Sequence, residues 1–194
     1  MTNKANSYLK TNLKEKGRKD MCARYLFKTI LAGAGGAGKT TLLRRYTTGT
    51  FDGNIKMTIG VDFSVAECET KHGSSTLQIW DFAGEERFRN MLPKFCMGAK
   101  GCLLLFDPLR PNTFYELSDW LKIIKKNTKD IPLLLISTKQ DLIEDGNPFC
   151  VSKDDIDEFV KKHNLVGYLK VSSKTGFNVK EAFQALTISM IDKQ

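Results

Sequence analysis

No apolar run in this chain approaches the roughly 18 residues that a membrane-crossing helix needs, and the N-terminus carries no apolar leader of the secretory kind. The two histidines, His72 and His163, sit among polar neighbours and are expected at the surface, which leaves no basis for a histidine-centred active site. Five cysteines (Cys22, Cys68, Cys96, Cys102, Cys150) are an odd number without a CxxC pair. That argues against a disulfide framework or a thiolate zinc site and for buried, reduced thiols in a cytoplasmic setting. Proline is scarce, with five residues, and no low-complexity tract or internal repeat divides the chain.

What is present is an ordinary globular composition, 41% hydrophobic and 27% charged over 194 residues, enough for one domain with a full core. The net charge of +8 is unevenly placed, because residues 1–28 hold eight basic side chains and two acidic ones. Residues 1–24 therefore read as a basic, flexible N-terminal extension, and residues 25–194 as the folded domain. Such an arm suits weak contact with an anionic membrane, at about 1 kcal/mol per basic residue near the surface. It lacks the aromatic interleaving of single-strand binders, so no nucleic acid is expected as a partner.

From Tyr25 onward the pattern alternates between strand and helix. "YLFKTILAG" reads as a buried strand entering glycines, and "GVDFSVAECE" and "STLQIWDF" read as an antiparallel pair around a "KHGS" turn. "GCLLLFD" and "PLLLIST" are continuous apolar runs of the kind covered on both faces, and "YLKVSS" is a sixth strand. Phe114, Leu117, Leu121 and Ile124 repeat at helical spacing, as do Val179, Phe183, Leu186 and Met190. A shorter helix at Ile156, Phe159 and Val160 follows a capping box formed by Ser152 and Asp155. The fold class expected is α/β: a six-stranded, mostly parallel sheet with about five helices on both faces. Ligands of such sheets bind beyond the carboxyl ends of the strands.

"GAGGAGKTT" stands at that place after the first strand and matches G-x-x-x-x-G-K-[ST] through Gly33, Gly38, Lys39 and Thr40. Gly35, Gly36, Ala37 and Thr41 complete the loop. Its backbone N–H groups can turn inward around phosphate oxygens, beside the positive end of the following helix. Lys39 is placed for the β- and γ-phosphates, and the Thr40 hydroxyl for Mg2+. This loop alone does not choose between kinase, ATPase and GTPase.

Further motifs make that choice. With "TIGVDF", "WDFAGEERF" and "FYELSDWL", residues 25–192 resemble the Ras-like small GTPases, nearest the Rab branch, with a glycine loop closer to Ras and "STKQDL" closer to Rho. The resemblance implies a P-loop NTPase G domain that binds GTP or GDP with Mg2+. It implies that Thr58 coordinates the metal and meets the γ-phosphate in switch I, that Asp81 holds the metal through water, and that the Gly84 N–H senses the γ-phosphate. It implies that Asp141 accepts from the guanine N1–H and exocyclic amine, groups that adenine does not present there. Lys139 would cover the base, Thr138 stands where the family usually has asparagine, and "VSSKTG" supplies Ser172, Ser173 and Lys174. Phe51 would cap the base edge.

Glu85 departs from the family, which usually has a glutamine there to orient the attacking water. An ionised carboxylate can accept from that water but cannot donate to the transferring phosphoryl group. At 4 Å and an effective dielectric near 20 it would be repelled by one phosphate charge by roughly 4 kcal/mol, before screening. Hydrolysis is nevertheless expected to persist, slowly, with Lys39, Thr58, Gly84 and Glu85 as the catalytic set. Gly35 leaves the γ-phosphate side open to an arginine from an activating protein. The alternative is a nucleotide-holding scaffold that does not hydrolyse. An ATP-using kinase would need a lid and an acceptor site, and Asp141 argues against it. The resemblance further implies a monomer that meets effectors, an exchange factor and an activating protein through its switches, with Phe63, Trp80 and Phe95 as an aromatic triad that effectors read. Such relatives usually end in prenylated cysteines. None follows Cys150 here, and Thr2 stands where myristoylation needs glycine. Cytoplasmic placement, peripheral at a membrane without a recognisable lipid anchor, is the expectation.

Overall fold

A computed structural model describes residues 25–54, 56–143 and 150–194. The basic arm of residues 1–24, with Cys22, lies outside the described residues.

The apolar runs form one six-stranded sheet in the order β2-β3-β1-β4-β5-β6. Its strands are β1 (Tyr25–Ala32), β2 (Val61–Thr70), β3 (Gly73–Phe82), β4 (Gly101–Phe106), β5 (Leu133–Ser137) and β6 (Gly167–Lys170). Only β2 and β3 pair antiparallel, through a turn that closes Thr70 on Gly73. The pairings of β1 with β3 and β4, of β4 with β5, and of β5 with β6 are parallel. The helices are α1 (Lys39–Thr48), α2 (Leu92–Cys96), α3 (Asn112–Tyr115), α4 (Leu117–Asn127), α5 (Lys153–His163) and α6 (Val179–Ile191). Because α3 and α4 are separated only at Glu116, they act as one interrupted helix, giving five in all among the described residues.

Alternation along the strands divides the core. Ile30, Cys102, Leu104 and Phe106 point to the face covered by α2 to α5, where Trp120, Leu121 and Phe159 pack. Phe27, Leu31, Leu103 and Leu105 point to the other face, under α1 and α6, among Leu42, Phe183 and Leu186. Both faces of β4 and β5 are covered, which is why these strands read as unbroken apolar runs. Strand β2 lies at the sheet edge, and of its side chains only Cys68 is fully buried.

The cap of α5 forms as its spacing implies: Ser152 Oγ accepts from the Asp155 N–H at 3.1 Å. Three sequence expectations are corrected. His163 is half-buried against the Phe159 ring, 4.4 Å between centroids, because it closes the apolar face of α5. The sixth strand stops at Lys170, where Val171 and Ser172 leave the sheet to build a loop. The helix from Phe114 does not run continuously but breaks at Glu116. Cys68, Cys96 and Cys102 are buried free thiols, as expected, and Cys150 is half-buried.

Candidate functional site

The carboxyl ends of β1, β3, β4 and β5 lie along one edge of the sheet, and the sequence motifs meet there. The turn from β1 into α1 carries the glycine loop. Lys39 opens the helix and is only 6% exposed. Its Nζ donates to the Gly33 carbonyl at 2.7 Å and to the Ala34 carbonyl at 2.9 Å, so the ammonium spans the start of the loop. Burial pushes its pKa down to about 8, against the opposing pull of Asp81 and Glu116. An anion arriving at the loop would offset that cost of desolvation.

Next to Lys39 three oxygen-bearing side chains converge from separate elements. Thr40 Oγ1 lies 2.7 Å from Thr58 Oγ1 and donates to Asp81 Oδ2 at 2.5 Å. Thr58 Oγ1 stands 3.4 Å from the same carboxylate oxygen. Burial pushes the Asp81 carboxyl up, while the Thr40 hydroxyl bond, the Lys39 charge and the Thr58 bond oppose it. Asp81 Oδ1 is buried and has no hydrogen-bond partner, a state that a protein seldom leaves uncompensated. Two hydroxyls and a carboxylate are hard oxygen donors, and the orphaned oxygen fits a Mg2+ ion held directly or through water. Among the described residues no cluster of three or more His, Cys, Asp or Glu offers a different metal site.

Gly84 closes this end. A Cβ added to it would fall 2.2 Å from the Gly35 nitrogen and 2.3 Å from the Ala34 carbonyl carbon. Any side chain would push the loop after β3 off the glycine loop. The cavity between them, about 110 Å³, is lined by Gly35, Lys39, Thr40, Thr58, Gly84 and Glu85 among others. A second cavity of about 430 Å³ begins at Gly36, Gly38 and Thr41, which line both, and runs to Phe51, Thr138, Lys139, Asp141, Ser173 and Lys174. That volume is of the order of known small-molecule sites, roughly 300–1,000 Å³.

Asp141 is held from behind. Ser172 Oγ donates to Asp141 Oδ1 at 2.5 Å and accepts from the Thr175 N–H at 3.1 Å, so a loop fixed at both ends orients the carboxylate. Lys139 adopts the left-handed region at φ 56°, and its Nζ pairs with buried Asp107 at 2.7 Å. Thr138 does something its sequence position does not reveal. Its buried hydroxyl lies 2.9 Å from the Ala37 carbonyl and 3.1 Å from that of Phe106, so it braces the glycine loop against β4. Phe51 is half-exposed at the mouth.

Glu85 lines the small cavity and its Oε2 meets Arg87 Nε at 2.5 Å. Arg89 pairs with Glu116 and lies 5.5 Å from the Trp120 ring, which ties the turn after Glu85 to α4. The aromatic triad is contiguous: Trp80 stands 5.1 Å from Phe63 and 5.5 Å from Phe95. Phe63 is 46% exposed, Trp80 is half-buried, and Met57 and Ile59 stand out beside Thr58. Sequence reasoning missed Asp107 and Arg110, the latter donating to the Gly35 carbonyl from the loop after β4. Neither lies in a recognisable motif. Each gains its place only because β4 sits next to β1 and β5.

Comparison with known proteins identifies the family. A family model described as the Ras family matches residues 28–192. Ras-related protein Rab-32B of Dictyostelium discoideum is 35% identical over 175 residues, covering 87% of this chain and 66% of that protein. Ras-related protein Rab-7L1 of Homo sapiens is 34% identical over 173 residues, 86% of this chain and 83% of its own length. Ras-related protein RABG3f of Arabidopsis thaliana is 35% identical over 168 residues, with 84% and 81% covered.

Proposed function

The chain belongs to the Ras family of small GTPases, nearest the Rab branch, and on that premise we propose that it binds GTP or GDP with Mg2+ and hydrolyses GTP to change switch state. The observation that carries the reading is the meeting of the Lys39–Thr40–Asp81 cluster and the Asp141 carboxylate along two cavities that share Gly36, Gly38 and Thr41. In this reading Gly33, Gly35, Gly36, Ala37, Gly38 and Thr41 cradle the phosphates and Lys39 neutralises them. Asp141, fixed by Ser172, selects guanine, with Phe51, Lys139, Ser173 and Lys174 around the base. Thr40, Thr58 and Asp81 would hold the metal, whose chemistry is to neutralise charge developing between the outer phosphates. Gly84 and Thr58 meet the γ-phosphate, and their release after its loss relaxes both switch loops.

The Arg87 partner bears on Glu85. A carboxylate facing a γ-phosphate is unfavourable by itself, but an adjacent guanidinium lowers the local charge and supplies donors that a carboxylate lacks. Glu85 accepts from the water, and the charge it brings is balanced. Arg87→Ala is then expected to slow single-turnover GTP hydrolysis about tenfold while Glu85 is present, and less than about threefold in a Glu85→Gln background. Equal losses in the two backgrounds would remove the pair from the mechanism. A non-hydrolysing scaffold is the second reading, favoured by the departure from glutamine at this position. Absence of phosphate release from GTP over hours, in magnesium, would establish it in place of the first.

Signalling follows from the exposed surface. Met57, Ile59 and Phe63 flank the switch, and the triad of Phe63, Trp80 and Phe95 joins it to the core, so effectors, an exchange factor or an activating protein can read the nucleotide state through it. The resemblance to the Rab branch extends this reading to a role in membrane trafficking or polarity-type regulation. The basic arm of residues 1–24 would add electrostatic contact with an anionic bilayer. The full chain is expected to co-sediment with vesicles rich in acidic lipid at 50 mM salt and to be released at 500 mM, as Debye screening requires. Equal sedimentation with neutral vesicles would exclude that contact.

A further inference from the structure

The loop between β4 and α3, "DPLRPNT", is tightly tied to itself. The Arg110 N–H donates to the Asp107 carbonyl at 2.9 Å, and the Arg110 carbonyl accepts from the Thr113 N–H at 2.9 Å and the Thr113 hydroxyl at 2.8 Å. The side chain therefore leaves a fixed backbone. Its Nη2 donates to the Gly35 carbonyl at 2.8 Å, across 75 residues of sequence. Its Nη1 occupies the place a side chain at Gly36 would take, since a Cβ built there falls 2.4 Å from it. Gly36 has φ +73°, so the loop at this point both requires glycine and leaves room that the guanidinium fills. Arg44, Arg87 and Arg89 pair with carboxylates, whereas no ion pair to Arg110 forms among the described residues.

Two physical consequences follow. The Gly35 carbonyl and the Gly36 N–H belong to one planar trans peptide and point in opposite directions. A donor that holds the carbonyl outward keeps the N–H directed inward, where a phosphate oxygen would meet it. The guanidinium also carries a full charge, with no ion pair among the described residues, at the rim of a site for polyanions, where charge acts at long range and is weakened by salt.

We propose that Arg110 is a positioning residue for the polyphosphate: it locks the Gly35–Gly36 peptide in its binding orientation and, through its charge, favours the triphosphate over the diphosphate. The inference rests on the glycine loop being the phosphate site, as argued above. The guanidinium lies outside the switch loops and so acts in both nucleotide states.

The test uses the full chain loaded with fluorescent GDP or a non-hydrolysable fluorescent GTP analogue, with dissociation followed after excess unlabelled nucleotide is added. At 50 mM salt Arg110→Ala is expected to release the GTP analogue roughly tenfold faster and GDP roughly threefold faster than the unsubstituted chain, and the difference between nucleotides closes at 500 mM. Arg110→Lys, which keeps the charge and a donor group but not the planar fork, restores the preference for the triphosphate. Dissociation rates within twofold of the unsubstituted chain for both nucleotides would overturn the proposal. So would an acceleration that is equal for the two and unchanged by salt, since that is the mark of lost packing alone. If the unsubstituted chain retains neither nucleotide, the phosphate-site reading itself fails, and the inference with it.

Discussion

Asp141→Asn is expected to weaken GDP binding by about 10²- to 10⁴-fold, the loss that follows from two charge-assisted hydrogen bonds at roughly 1.5–3 kcal/mol each. The substitution keeps the shape of the side chain and its contact with Ser172, but replaces one acceptor with a donor. Guanine presents two donors to this position, so one would face another donor inside the cleft. The carboxylate has no freedom to turn away, because Ser172 Oγ holds it and Thr175 holds Ser172. Competition titration with GDP against a fluorescent nucleotide measures the loss. A change under threefold would mean that Asp141 does not read the base.

Lys39→Ala is the second large expected effect, and it falls on the other end of the nucleotide. The ammonium is nearly enclosed, held by two backbone carbonyls, and burial has pushed its pKa down to about 8. A charge kept at that cost, 6% exposed and lining a cavity of about 110 Å³, suits an anionic partner that offsets it. Its removal should weaken GTP by about 10³-fold, and GDP by less, because in the proposed reading the side chain would reach both outer phosphates of the triphosphate. The folded state is controlled by far-UV circular dichroism, since the Gly33 and Ala34 carbonyls lose their donor. Unchanged GTP affinity in a folded variant would place the triphosphate elsewhere.

Much of this site was legible in the sequence because its parts are local. The glycine loop is contiguous, Thr138 and Asp141 follow an apolar run that marks a strand, and Asp81 stands near the end of one whose residues alternate. The α/β class was legible for a related reason: alternate residues of β4 face opposite helical layers, which forces the continuous run from Cys102 to Phe106. Features that depend on distant approach were not. Asp107 meets Lys139 across 32 residues, and Arg110 meets Gly35 across 75, with no periodic signal to announce either contact. Thr138 looked like a residue at the base, yet its hydroxyl lies against two backbone carbonyls of the glycine loop and β4. The short helix Leu92–Cys96 offers five residues, too few to show a helical period. The break at Glu116 was hidden for the opposite reason, since apolar spacing continues across it from Phe114 to Leu121.

One equilibrium measurement bears on all of these statements together. The purified full chain, stripped of ligand and incubated in magnesium with equal micromolar concentrations of GDP and ADP, is desalted, denatured, and its released nucleotide identified by chromatography. Near-stoichiometric GDP with no ADP is the predicted result. Recovery of ADP, or of no nucleotide at all from a folded chain, would contradict it.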